Sequence, residues 1–180
     1  MNAQRYEVTE AAPEDVALLP EIERIAGLQF KASADLGIPD EMYDTPNPVE
    51  TFAAAQRAGR LWVARAASGE PVGFALVTEI ERYAHLDELD VLPTYGRRGI
   101  GSTLLAAVCS WARDAGYAAV TLRTFRDVPW NAPFYRRRGF CVVESETLSA
   151  GHVALERSER QRGLRTEARV TLACPMTTRA

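Results

Sequence analysis

Residues 93–104 read PTYGRRGIGSTL, and the fold turns on what this stretch is for. Gly96, Gly99 and Gly101 leave the backbone bare, and Arg97 and Arg98 put positive charge beside it. Downstream, STLLAAVCSWARDAG (102–116) carries apolar residues at helical spacing and stops at Gly116. Upstream, YAHLDELDVL (83–92) reads as a strand that ends at Pro93. The local plan is therefore strand, glycine turn, helix. The first N–H groups of a helix have no intrahelical partners and lie at the positive end of its dipole. Glycines remove the side chains that would hold an anion away from those groups. The ligand class this turn suits is a phosphate or pyrophosphate.

Working outward, strands and helices alternate. RYEVTE (5–10) reads as a first strand, and PEDVALLPEIERIAGLQF (13–30) as a helix with a kink or restart at Pro20. KASADLGIPDEMYDTP (31–46) has no clear period and reads as a loop, the kind of long loop that often carries function. NPVETFAAAQRAG (47–59) carries the signals of a helix, with Asn47 as cap and Gly59 as stop. RLWVARA (60–66) and PVGFALVTEI (71–80) flank SGEP as a hairpin. After the helix at 102–116 come a strand YAAVTLRTF (117–125), a short helix APFYRRRG (132–139) and a strand FCVVESETL (140–148). A helix HVALERSERQRGL (152–164) and a last strand EARVTLACP (167–175) complete the chain. The order β-α-α-β-β-β-α-β-α-β-α-β is that of an α/β chain, with an antiparallel meander first and helix-connected strands after it. No linker interrupts it, so residues 1–180 read as a single domain.

Composition narrows the partners. The chain is 47% hydrophobic, which supports a packed core. Its formal net charge of -3 gives no global attraction to nucleic acid or to an anionic membrane. Cys109, Cys141 and Cys174 are an odd, widely spaced set, neither a disulfide framework nor a metal cluster. The N-terminal residues lack the apolar core of a signal peptide, and no apolar run is long enough to span a bilayer. A reduced, cytoplasmic protein without a metal is the expectation, with a homodimer allowed.

Among phosphate-binding motifs, a dinucleotide fingerprint fails because Leu104 stands where its third glycine belongs. A nucleoside-triphosphate loop fails because Ser102 stands where its lysine belongs. The remaining match is to the turn that binds acetyl-CoA. LDVLPTYGRRGIGSTLL (89–105) resembles the strand-turn-helix segment of the GNAT superfamily of N-acetyltransferases, with Gly96 in place of the usual Arg or Gln at the head of R/Q-x-x-G-x-G/A. WNAPFYRRRGF (130–140) is similar to the same family's N-x-x-x-F-Y-x-x-x-G-F segment, on which Asn131, Phe134, Tyr135, Gly139 and Phe140 all fall. The element order matches that family over nearly the whole chain.

The resemblance implies a mixed sheet of six or seven strands with helices on both faces. It also implies two adjacent parallel strands, HLDELDVL and YAAVTLRTF, that splay apart to admit the pantetheine arm of acetyl-CoA. Val91 and Leu92 would meet that arm through backbone, and an N–H near Val91 would serve the oxyanion. The pyrophosphate would lie on the N–H groups of Arg97, Arg98, Gly99, Ile100, Gly101, Ser102 and Thr103, and Asn131 would touch the arm. Tyr135 is the candidate acid at the sulfur, since a phenol of pKa about 10 is protonated at neutral pH.

The acceptor amine, with a pKa of about 10.4, must lose a proton before it attacks. Glu88 is the first candidate base and His85 the second, with a water chain as the other route. Alternation groups Leu86 with Glu88 and Asp90, and a bulge in this strand would break that parity. Asp87, Glu88, Asp90 and Glu81 together would attract a cationic acceptor, either a small molecule or a peptide amine. The alternative is a module that binds acyl-CoA without catalysis.

Overall fold

The computed structural model describes residues 6–32 and 36–176. Seven strands run in chain order: β1 (Glu7–Glu10), β2 (Leu61–Arg65), β3 (Pro71–Ile80), β4 (Tyr83–Val91), β5 (Ala119–Phe125), β6 (Cys141–Val142) and β7 (Arg169–Pro175). The helices are α1 (Leu19–Gly27), α2 (Asp40–Tyr43), α3 (Val49–Arg57), α4 (Ile100–Asp114), α5 (Ala132–Arg136) and α6 (Ala150–Gln161). The strands form one sheet in the order β1-β2-β3-β4-β5-β7-β6. The mixed sheet with helices on both faces is as expected.

The sheet separates two apolar layers. Trp62, Val72, Leu86, Leu104, Val108 and Leu122 pack on the α4 face. Leu19, Ile22, Phe52, Val63, Phe74 and Leu76 pack on the face covered by α1 and α3. Phe52 meets Phe74 edge-on with ring centroids 5.3 Å apart. Burying side chains of this size contributes about 1.5–3 kcal/mol each. Truncating Phe74 to Ala would cost about 3–5 kcal/mol.

Three local expectations are corrected. The stretch 13–30 is not one helix: Pro13–Leu18 is a 3-10 turn, α1 follows, and Leu28–Ala32 is 3-10 again. Pro20 sits in the first turn of α1, where its missing N–H falls among donors a helix does not use. Asn47 does not cap α3. Pro48 takes the cap position, while the Asn47 N–H and Nδ2 both donate to Glu23 Oε1 at 3.1 Å. The strand expected over 140–148 shrinks to Cys141–Val142, both exposed at the sheet edge, with a 3-10 turn at Ser145–Thr147. An exposed edge facing charged Glu144 and Glu146 has no burial to sustain a longer strand.

Two features of β4 shape the site. Its parallel pairing with β5 covers only Tyr83↔Ala119, Ala84↔Val120 and His85↔Thr121. Beyond that, β4 stays with β3 to Val91 while β5 stays with β7 to Phe125, so the two strands part. The expected splay is present. The second feature is a bulge: Leu76 pairs with Glu88 and Val77 with Leu86, which leaves Asp87 unmatched. Leu86 therefore joins Leu89 and Val91 on the α4 face, and His85 shares the opposite side with Glu88 and Asp90.

Candidate active site

The glycine turn sits where the sequence placed it. Gly99 caps α4 with φ +87°, a left-handed conformation that suits glycine. Thr103 already donates its N–H to the Gly99 carbonyl at 3.1 Å, so Ile100, Gly101 and Ser102 supply the helix N–H groups ahead of the ladder. The buried Ile100 side chain anchors the turn in the core. A Cβ added at Gly101 would meet Phe134 Cζ at 3.7 Å and Val91 Cγ2 at 4.0 Å, ordinary contacts that leave the cradle open.

Arginines surround this turn. Arg98 donates to the Thr94 carbonyl at 2.9 Å and lies over the Tyr95 ring. Arg138 stacks on Phe134, 3.8 Å from its centroid, and donates to Ser102 Oγ at 2.6 Å. Arg97, Arg137 and Asn131 line the same slot of about 530 Å³. The Thr103 hydroxyl is held by Tyr6 at 2.9 Å. Bare N–H groups ringed by guanidinium groups fit a diphosphate.

At the inner end of the slot, strand geometry directs the backbone. Leu92 donates to the Val72 carbonyl at 2.9 Å, which makes Gly73↔Val91 a pair without hydrogen bonds of its own. The Val91 N–H and carbonyl consequently face the other edge of β4, where β5 has left. Leu89, two residues earlier, faces the same way. The Leu92 N–H is spent on β3, while Leu89, which the sequence reading passed over, presents its backbone to the gap.

A second cavity of about 640 Å³ opens on the far side of the splay, and Asp90 and Phe30 line both. Its acid wall is Glu23, Asp87, Glu88 and Asp90. Burial, then the Asp90, Glu23 and Asp87 charges, hold the Glu88 carboxyl well above its ordinary value. Burial and then Glu23 do the same to Asp90. Among the described residues, Asp90 Oδ2 and Glu23 Oε2 have no hydrogen-bond partner. The fourth acid is Glu23 and not Glu81, whose Oε1 accepts the Gly151 N–H at 2.8 Å. The signal for Glu23 was an acid among the apolar positions of α1.

His85 is 2% exposed and lines this cavity. Its Nδ1 lies 3.0 Å from Thr121 Oγ1, which is also 3.0 Å from His152 Nε2. Burial first, then His152, Arg123 and Arg169, push its pKa down to about 3. It is a neutral imidazole at pH 7, and a weak acceptor for the proton of an ammonium group.

Tyr135 is 9% exposed and lines the slot beside Asp90 and Val91. Burial, with the Asp90 and Glu88 charges behind it, raises its phenol above the ordinary value, so the hydroxyl stays a donor. Asn131 starts α5, and its carbonyl accepts from Phe134 and Tyr135 at 2.7 and 3.2 Å. That turn sets the Tyr135 ring against Phe134 and Phe140. Among the described residues no helix is long and apolar enough to cross a membrane.

A sequence model described as the acetyltransferase (GNAT) family matches residues 21–140. The aminoglycoside N(6')-acetyltransferase type 1 of Stenotrophomonas maltophilia is 39% identical over 84 residues, covering 41% of this chain and 55% of that enzyme. The match thus spans little more than half the length of that curated relative. Among solved structures, the PaiA N-acetyltransferase of Thermoplasma acidophilum in complex with coenzyme A superposes with TM-score 0.67 at 18% identity, over 95% of this chain and 99% of that one. An acetyltransferase of the GNAT family from Staphylococcus aureus Mu50 gives TM-score 0.70 at 16% identity, over 96% and 100%. At these identities the structural likeness speaks for the fold alone.

Proposed function

Because the chain belongs to the acetyltransferase (GNAT) family, we propose that it transfers the acetyl group of acetyl-CoA to a primary amine by direct attack in a ternary complex. The observation that carries this reading is the junction of the two cavities. A slot with a phosphate-type turn at one end and a cavity walled by carboxylates meet at Asp90, where the strands part. A thioester entering from one side and an amine from the other would meet there.

Each step has a residue to carry it. The helix N–H groups from Ile100 to Ser102 hold the diphosphate, and Arg97, Arg137 and Arg138 balance its charge. Glu88 takes the ammonium proton. Its raised pKa narrows the gap of about six units, on the order of 8 kcal/mol, between an ordinary carboxyl and an alkylammonium. The Val91 N–H donates to the oxyanion as the amine adds to the carbonyl carbon. As the C–S bond breaks, Tyr135 gives its proton to the leaving sulfur. The second proton lost by the added nitrogen returns to Tyr135 through solvent, leaving the amide and CoA thiol. A water chain is the alternative route for the amine proton.

The test is release of free CoA thiol from acetyl-CoA with a panel of primary amines. Amine-dependent release supports the reading. Tight CoA binding without release for any amine would instead favour a non-catalytic acyl-CoA-binding module.

A further inference from the structure

The wall opposite the carboxylates is built from arginine. Arg123 interrupts the otherwise uncharged β5 stretch AVTLRTF, its side chain is 4% exposed, and it lines the second cavity. Its Nε donates to Glu159 Oε2 at 2.8 Å and its Nη1 to Thr171 Oγ1 at 3.0 Å, while its Nη2 has no partner among the described residues. Arg169 reaches the other oxygen of Glu159 at 3.1 Å, and its Nε is likewise unpartnered. A buried guanidinium and a partly buried one therefore share one buried carboxylate. Glu156 adds little, because it lies 3.5 Å from Arg123 and also holds Arg160 at 3.3 Å. A buried guanidinium with unused N–H groups is unfavourable until an anion completes it, and its planar fork matches a carboxylate.

The two walls face each other. The last parallel pair is His85↔Thr121, so two residues further on Arg123 stands across the gap from the bulged Asp87, beside Glu88. Paired strands lie about 4.8 Å apart, and here they diverge, so the gap is a few bonds wide. Among the described residues no ion pair joins Arg123 or Arg169 to Glu88, Asp87 or Asp90. Asp90 and Glu23 on one wall each keep an unused acceptor, Arg123 and Arg169 on the other each keep an unused donor among the described residues, and all four residues line the same cavity. Had the walls merely neutralised each other, these atoms would be bonded.

We propose that the acceptor is a zwitterion, a primary amine with a carboxylate a few bonds away. The amine lies against Glu88 and Asp90, and the carboxylate lies on a subsite formed by Arg123 and Arg169. This rests on the acetyl-transfer reading and narrows its substrate. A polyamine without an acidic group suits only one wall, because any charge it extends across the gap meets buried like charge.

The experiment compares kcat/KM for α-amino acids and straight-chain ω-amino acids, each against its own amide, with kanamycin and spermidine as polyamines lacking a carboxylate. Rates are referred to the free-amine fraction of each compound. The acids should exceed their amides by about tenfold or more, the size of one charge-assisted contact. In Arg123→Met, and in Arg169→Gln should the first fold poorly, that ratio should fall toward one. Amides or polyamines that match the acids would overturn the zwitterion and leave acetyl transfer standing. Absence of turnover with every amine, while CoA still binds, would overturn both readings. The wild-type comparison decides the matter even if neither variant folds.

Discussion

Leu92 donates its N–H to the carbonyl of Val72 at 2.9 Å, and that bond fixes which way the Val91 amide points. With Leu92 tied to β3, Val91 must present its N–H to the parted edge, the place an oxyanion would occupy. Val91→Pro deletes this donor without touching a ladder bond to β3, since proline is tolerated where the N–H faces out of the sheet. Turnover should fall about 10²–10³-fold, as for loss of one oxyanion donor. Val91→Ala keeps the N–H and serves as the packing control. Equal rates in the two variants would move the oxyanion role elsewhere, with Leu89 the next candidate.

Gly99 and Gly101 should respond differently to alanine. Gly99 has φ +87°, and a Cβ there would also lie 3.3 Å from the Tyr6 hydroxyl, so Gly99→Ala should lower the melting temperature. At Gly101 the added methyl meets only ordinary contacts inside the helix, so Gly101→Ala should keep or slightly raise it. Gly101→Asp adds a negative charge where the diphosphate would lie, and should weaken CoA binding well beyond twofold by calorimetry. Unchanged affinity in Gly101→Asp would place the phosphates away from this turn.

Glu88 carries a prediction for stability as well as for rate. A carboxyl raised in the folded state binds its proton more tightly there than in the unfolded chain. The native state therefore loses stability as pH rises from the unfolded value of about 4.3 through the raised one. Glu88→Gln removes that loss. Its melting temperature should match wild type near pH 4 and exceed it at pH 8. His85 works in the opposite sense, since its folded pKa of about 3 sacrifices stability as pH falls below about 6.5. That contribution is common to both proteins and cancels in the difference. Turnover of the same variant should fall about 10²–10⁴-fold at neutral pH and recover toward alkaline pH, where free amine is already present. A loss independent of pH would mark Glu88 as a positioning group.

The strand-turn-helix at 93–104 and the segment from Asn131 to Phe140 were legible because their cues are local: glycines, a helix period and a short spacing. The faces of β4 were legible only as far as a bulge was allowed for, because no residue near Asp87 fixes its position. It arises from the count of residues against β3 and moves His85 to the side of Glu88. Asn47 has the chemistry of a cap, yet it is drawn to Glu23, a partner 24 positions away that only the packed α1 supplies. Glu81 has the right charge for the acid wall and the wrong backbone, held at φ 54° in a turn and bound to Gly151. Arg123 did leave a mark, a charge in a strand whose every residue is buried. Such a residue needs a partner, and the sequence alone does not say which part of it stays unpartnered.

Tyr135→Phe is the sharpest test of the acid. The ring packs against Phe134 and Phe140 with centroids 5.0 and 5.7 Å away, and phenylalanine preserves both contacts. Only the hydroxyl is lost. Its raised pKa keeps it protonated across the working range, so a rate that needs its proton should show no tyrosine limb below about pH 10 in the wild type. The leaving thiol resembles cysteine, with a pKa near 8.5, and a bare thiolate is costly in a narrow, poorly hydrated slot. The variant should lose at least about tenfold in kcat, with melting temperature and acetyl-CoA affinity nearly unchanged. The deficit should be smaller for an acyl donor whose leaving thiol is more acidic, because such a thiolate departs without help. A structural hydroxyl would give the reverse pattern: a lower melting temperature, a preserved kcat at reduced temperature and no dependence on the leaving group. That pattern would assign the sulfur's proton to water or to the amine itself.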